Sequence, residues 1–154
     1  MQPLPVTTGR IRPIAIAVIR RGDEILVFEG HDAIKGETFY RPLGGGIEFG
    51  ERSEVALRRE LLEELNVGLD GVRYLGALEN IYIHNGRPGH EIVQVYEAVP
   101  IDTAIYDREA MTAYEDNGAP FAVMWKSLAG FRTGEAPLYP DGLLALLDGI
   151  EESG

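Results

Sequence analysis

Gly44 to Val67 reads GGGIEFGERSEVALRRELLEELNV, a run of glycines, a short polar link and then a helical pattern. Ser53 is the expected N-cap, because its hydroxyl can accept a free backbone N–H of the first turn. Glu54 follows in that turn, where the helix dipole favours an anion. Asn66 suits the left-handed conformation that ends many helices. At 100° per residue, Leu57, Leu61, Leu65, Leu62 and Val55 spread over one broad apolar side. Glu60, Glu63 and Glu64 gather on the other, together with Ala56.

That acidic face works against the helix. Like charges three and four residues apart repel by roughly 0.2–0.5 kcal/mol per pair. Glu63 and Glu64 also fall in the last turn, where the dipole disfavours anions. A merely solvated face mixes lysines among its glutamates, and this one does not. The pattern therefore reads as a cation site. Oxygen-only ligands on a helix suit a hard ion, Mg²⁺ or Mn²⁺. Upstream, Gly44-Gly45-Gly46 is expected to turn sharply and to bring bare backbone close to a ligand. A glycine turn, an acidic helix and a divalent ion together suit phosphate chemistry.

On these residues the stretch resembles the Nudix hydrolases, whose box reads G-x5-E-x7-R-E-U-x-E-E-x-G-U with U aliphatic. Gly45, Glu51, Arg59, Glu60, Leu61, Glu63, Glu64 and Val67 fall on it in register. Asn66 stands where the box has its last glycine, and it is the next best residue for a left-handed cap. Leu43 stands where a proline usually precedes the glycines, with Pro42 one place earlier. The resemblance implies an α/β fold, an α/β/α sandwich with a mixed sheet, over residues 1–154 as one domain.

The resemblance also implies the roles of the residues. Glu60 and Glu64 are the principal Mg²⁺ ligands (Mn²⁺ being the alternative), with Glu63 serving a second ion or bridging and the Gly44 carbonyl as a backbone ligand. Glu51 and Arg59 pair behind them. A proton acceptor comes from the box or from a late loop, where Glu115, Asp116 and Glu109 are the candidates. Arg41, Gly45 and Gly46 are placed at the substrate, and Glu91 near it. Phe39, Tyr82 and Tyr96 can stack on a base or pack in the core.

The implied reaction is hydrolysis of the diphosphate linkage of a nucleoside diphosphate derivative. The substrate classes are ADP-ribose or a nucleotide sugar, a nucleoside triphosphate, and a dinucleoside polyphosphate. A proline shortly beyond the box is frequent in ADP-ribose hydrolases, and Ile81 to His84 has none. Two other readings are a silent nucleotide-binding sensor of the same fold and a structural cation-binding domain. Sensors usually lose box glutamates, and all three are present here.

The chain of 154 residues carries a net charge of −11, with 45% hydrophobic and 25% charged residues. Such a composition is that of a soluble globular protein. The negative charge disfavours nucleic acid and anionic membranes as partners, but local arginines and a cation can reverse the field in a cleft. Cysteine is absent, which removes disulfides and thiolate metal sites. No signal peptide or membrane-length apolar run is read, so the expected location is cytoplasmic. Homodimers are common among similar proteins, and the sequence leaves that state open.

Outside the box, residues 1–10 read as an irregular lead-in. Ile11–Ile19 reads as a strand buried on both faces, forming a hairpin with Glu24–Phe28. Residues 29–37 read as a polar loop and 38–41 as a short extended piece. Val72–Ile83, with a bulge at Gly76, pairs with Glu91–Val99 across a glycine-rich loop. Residues 100–120 read as irregular. Phe121–Trp125 is a strand, and a last helix runs from Tyr139-Pro140-Asp141 to Ile150.

Overall fold

A computed structural model describes residues 9–153; residues 1–8, most of the expected lead-in, lie outside the described residues. The strands are β1 (Ile11–Val18), β2 (Arg20–Arg21), β3 (Glu24–Asp32), β4 (Glu37–Arg41), β5 (Leu43–Gly46), β6 (Leu69–His84), β7 (Arg87–Pro100), β8 (Ala110–Tyr114) and β9 (Pro120–Ser127). The helices are α1 (Ser53–Leu65), α2 (Leu128–Arg132) and α3 (Leu143–Ser153), and a 3-10 helix spans Thr103–Asp107.

The strands divide between a four-stranded sheet, ordered β5-β1-β7-β6, and a five-stranded antiparallel one, β2-β3-β9-β8 with β4 on β3. In the first sheet β1 runs parallel to β7 and antiparallel to β5, so the sheet is mixed. The alternation of β1 explains the layering. Ile14, Ile16 and Val18 face one core with Leu128, Phe131, Leu143 and Leu147 from α2 and α3. Ala15, Ala17 and Ile19 face the other core with Leu57 and Leu61 of α1. Two of these inward residues are alanines, so α1 can approach the sheet closely. The result is an α/β/α sandwich.

Several local expectations change. The hairpin of β1 with β3 is confined to its bend, where β2 pairs Arg20 with Ile25 and Arg21 with Glu24. β1 itself leaves for the other sheet, because its two apolar faces both need cover. The polar loop 29–37 is mostly strand, since β3 continues to Asp32 and pairs with β4 out to Glu37. The glycine turn is strand β5, bound to β1 in the register Ala15↔Gly45. Residues 100–120 hold the 3-10 helix and β8. The last helix begins at Leu143, two residues after the Tyr139-Pro140-Asp141 start. The long β6–β7 pair turns at Asn85-Gly86 and shifts register between Tyr74 and Gly76, as the glycine suggests.

On α1 the N-cap position is Arg52, which contributes no side-chain bond; Ser53 is already helical and shares a hydrogen bond with the Tyr96 hydroxyl. Val55 and Leu62 are about half exposed, whereas Ala56, Leu57, Glu60 and Leu61 are buried. The buried stripe is thus rotated toward the glutamates. At the other end Asn66 is left-handed (φ 56°, ψ 39°), and its N–H reaches the carbonyls of Leu61 and Leu62. Asn66→Ala should cost about 1 kcal/mol in urea unfolding, while Asn66→Gly should be neutral or mildly stabilising.

Candidate active site

Strand β5 is the edge of its sheet and passes under α1 with no side chain at three successive positions. A Cβ on Gly45 would lie 2.4–2.7 Å from the carboxylate of Glu60. A Cβ on Gly44 would strike the Ala15 carbonyl oxygen at 2.0 Å. The glycines therefore give the Glu60 carboxylate its place against the sheet. That is why this glutamate is 9% exposed although it stands on a helix surface.

Arg59 organises the carboxylates. Its Nε and Nη2 donate to both oxygens of Glu51 at 2.8 Å, a bidentate pair. Nη1 donates to Glu60 at 2.9 Å and more loosely to Glu63 at 3.4 Å, and Nη2 also reaches the Gly46 carbonyl at 3.0 Å. One guanidinium thus ties the loop, the strand end and the helix together. Arg59 holds the Glu51 carboxyl down to about 2, with the Glu48 N–H assisting.

One oxygen each from Glu60, Glu63 and Asp116 lies within 4.8 Å of the other two. Asp116 comes from the turn between β8 and β9, closed by the hydrogen bonds Glu115 N–H to Ala119 O and Gly118 N–H to Glu115 O. Half-buried Glu64 adjoins this group, and its carboxyl is pushed up to about 9. Burial is the main cause, followed by the neighbouring Glu60 and the charges of Asp116 and Glu63. Arg59 supplies one positive charge against five carboxylates. The all-oxygen set is compact and under-neutralised, and it fits a hard divalent cation.

Two clefts meet at this centre. The first, about 440 Å³, runs from Glu60, Glu64, Glu115 and Asp116 past Gly44 and Gly45 to an aromatic end at Phe28, Phe39 and Phe121. The second, about 550 Å³, opens beside Arg59, Glu63 and Tyr114. Arg41 lines the first cleft, where its Nη2 donates at 2.9 Å to Glu91, itself 2% exposed. Asn80 donates to the same Glu91 oxygen at 3.1 Å. Glu91 is therefore committed to Arg41 and Asn80 and lies on the cleft wall. Gly46 borders the second cleft. Phe39 sits edge-on to His84 in the first cleft, while Tyr96 packs against the α1 core. Glu109 lines neither cleft and pairs instead with Arg21 at 3.3 Å.

The NUDIX domain model matches residues 10–132. The chain belongs to the Nudix family. It is similar to the NAD-capped RNA hydrolase NudC of Pseudomonas syringae pv. syringae, 38% identical over 68 residues, 44% of this chain and 24% of that protein. NudC of Yersinia pestis (strain Pestoides F) is 42% identical over 66 residues, 43% of this chain and 25% of the relative. The chain thus spans about a quarter of the length of the curated relatives it matches. Among solved structures, a NUDIX hydrolase from Nitrosomonas europaea superposes with TM-score 0.64 at 14% identity, covering 94% of this chain and 90% of that one. The MutT NUDIX hydrolase from Burkholderia pseudomallei gives 0.58 at 24% identity, with 90% and 97% covered. These likenesses show the fold.

Sequence reasoning did not single out Arg12, which lines both clefts, or His31 and His84, which line the first. Arg12 lies one strand from the box in space and more than thirty residues from it in the chain, so no local pattern marks it.

Two outcomes test this geometry. Gly45→Ala should displace the Glu60 carboxylate and lower activity at least about tenfold, since small misplacements at a reacting centre cost up to about 100-fold. Because the folded state holds the Glu64 proton more tightly than the unfolded chain does, metal-free protein should lose thermal stability as pH rises from about 5 towards 9. Melting curves across that range should flatten in Glu64→Gln.

Proposed function

We propose that this chain is a Mg²⁺-dependent Nudix pyrophosphohydrolase, with Mn²⁺ as a substitute, cleaving the diphosphate linkage of a nucleoside diphosphate derivative. The compact set of Glu60, Glu63 and Asp116 oxygens, with Glu64 beside it, is the observation that carries this reading. Glu60, Glu63 and Glu64 would hold the metal with the Gly44 carbonyl, and Asp116 joins them from the β8–β9 turn. A bound divalent ion would neutralise phosphate oxygens and acidify a water.

The protein's own residues do the rest. Glu51 and Arg59 fix the helix against the loop so that the carboxylates keep their positions before substrate arrives. Glu115, at the mouth of both clefts, accepts the proton of the attacking water. Water adds to one phosphorus, the bond from that phosphorus to the bridging oxygen breaks, and two phosphate-bearing products leave. Arg41, held by Glu91, meets the phosphates, with Gly45 and Gly46 giving them close access to backbone. The base occupies the end of the first cleft lined by Phe28, Phe39 and Phe121.

ADP-ribose, nucleotide sugars, nucleoside triphosphates and dinucleoside polyphosphates all carry the linkage this reading requires. The NudC relatives are named for NAD-capped RNA, which brings a diphosphate-linked NAD cap into the same set. All four carboxylates of the centre are present, which favours turnover over a silent sensor. A panel of these compounds with Mg²⁺ should reveal hydrolysis of at least one member, lost on chelation. Glu64→Gln should reduce kcat by at least about 100-fold, with the circular dichroism spectrum unchanged. A panel without turnover in which metal only raises the melting temperature would favour the structural cation-binding domain.

A further inference from the structure

Three arginines enter the clefts, and their electrostatic situations differ. Arg59 is saturated by Glu51, Glu60, Glu63 and the Gly46 carbonyl. Arg41 is one-sixth exposed (16%) and spends one nitrogen on Glu91. Arg12 is exposed, lines both clefts, and forms no hydrogen bond or ion pair with any described residue.

That freedom is unexpected for its position. Arg12 and Glu91 are register partners on the parallel strands β1 and β7. Neighbouring strands lie about 4.8 Å apart, so the nearest guanidinium in sequence register to Glu91 is that of Arg12. Glu91 nevertheless takes its bonds from Arg41 and Asn80. This wall therefore carries two guanidiniums against one buried carboxylate. The wall opposite carries Glu60, Glu63, Glu64, Glu115 and Asp116. Arg12 pairs with none of those carboxylates either, although it shares both clefts with them. Gly46 makes room for it, since a Cβ there would lie 3.4 Å from Arg12 Nη2.

We propose that Arg12 binds the substrate phosphate that is not held at the acidic centre, and so makes two adjacent phosphates a requirement of recognition. This rests on the diphosphate-hydrolase reading. A guanidinium presents a planar fork that matches phosphate oxygens. Because the Arg12 guanidinium forms no ion pair with any described residue, no such pair has to break when a phosphate arrives. Arg41 also faces the phosphates, but Glu91 fixes its orientation and offsets part of its charge, so it does not replace an unpaired guanidinium. Arg12 thus acts as a positioning residue for the leaving half of the substrate. The polarity of the cleft, acidic at the helix and cationic across β1 and β4, then sets which phosphate goes to which wall.

The test compares Arg12→Ala and Arg12→Lys with Arg10→Ala, an exposed arginine that lines neither cleft. Steady-state kinetics on the best substrate of the panel should show KM raised at least about tenfold in Arg12→Ala with kcat within about threefold, the loss of one charged hydrogen-bonding partner. Arg12→Lys should restore part of that loss, and Arg10→Ala should match the wild type. In calorimetric titrations with Mg²⁺, Arg12→Ala should weaken methylenediphosphonate about tenfold and inorganic phosphate by less than about twofold. Unchanged KM in Arg12→Ala, or equal weakening of both probes, overturns the assignment while leaving the hydrolase reading intact. A wild type that turns over no member of the panel removes both together.

Discussion

A helix glutamate can be pressed against a β-sheet only if the sheet offers no side chain at that point. β5 meets this condition with Gly44, Gly45 and Gly46, and the Glu60 carboxylate occupies the volume where a Gly45 Cβ would be. The small inward residues Ala15 and Ala17 of β1 extend the same condition to the next strand. Once α1 is seated this closely, Glu60 and Glu64 are carried inward and Val55 and Leu62 are turned out. Burying like charges is costly, and Arg59 offsets part of that cost through its bonds to Glu51, Glu60 and Glu63. What remains uncompensated is an excess of negative charge at Glu60, Glu63, Glu64 and Asp116.

The box helix was legible because its signals are local. The helix span and the left-handed Asn66 follow from spacings shorter than a dozen residues, and the Arg59–Glu51 pairing was implied by the resemblance of the box. The bulge near Gly76 and the two-faced burial of β1 were equally readable. The face of α1 was not. Apolar periodicity alone puts Val55 and Leu62 inside, whereas the glycine strand turns Glu60 and Ala56 inward. A propensity argument cannot see that override. Pairing was also hidden, since β1 chooses β5 and β7 over its sequence neighbour β3, and such choices rest on contacts far apart in the chain. The acidic tract around residue 110 concealed β8, whose one fully buried side chain is Ala113. For the same reason the cleft's member Arg12 carries no local mark, whereas Asp116 was readable as a late-loop acid but not as a neighbour of Glu60 and Glu63.

Overall charge and local charge point in different directions. A chain with net charge −11 repels anions at a distance. Inside the clefts, however, Arg12 and Arg41 stand on the strands, while Glu60, Glu64, Glu115 and Asp116 gather on the helix and the β8–β9 turn. Within a Debye length of about 8 Å at physiological salt, near groups outweigh the distant average. An anion near this chain therefore meets an attractive field only beside the arginines of the cleft.

The far wall of the first cleft rests on one more buried carboxylate. Asp32, 2% exposed at the end of β3, accepts the backbone N–H groups of Ile34, Lys35 and Asn85. Asn85 returns a side-chain oxygen to Ala33 N–H, and Lys35 Nζ reaches the Ile83 carbonyl at 2.7 Å. The β3–β4 bend and the tip of the β6–β7 hairpin are thereby stitched into one block. Any shortening or lengthening of either tip must be matched by the other, so divergence in ligand preference among descendants of this chain would proceed by paired edits at the two bends.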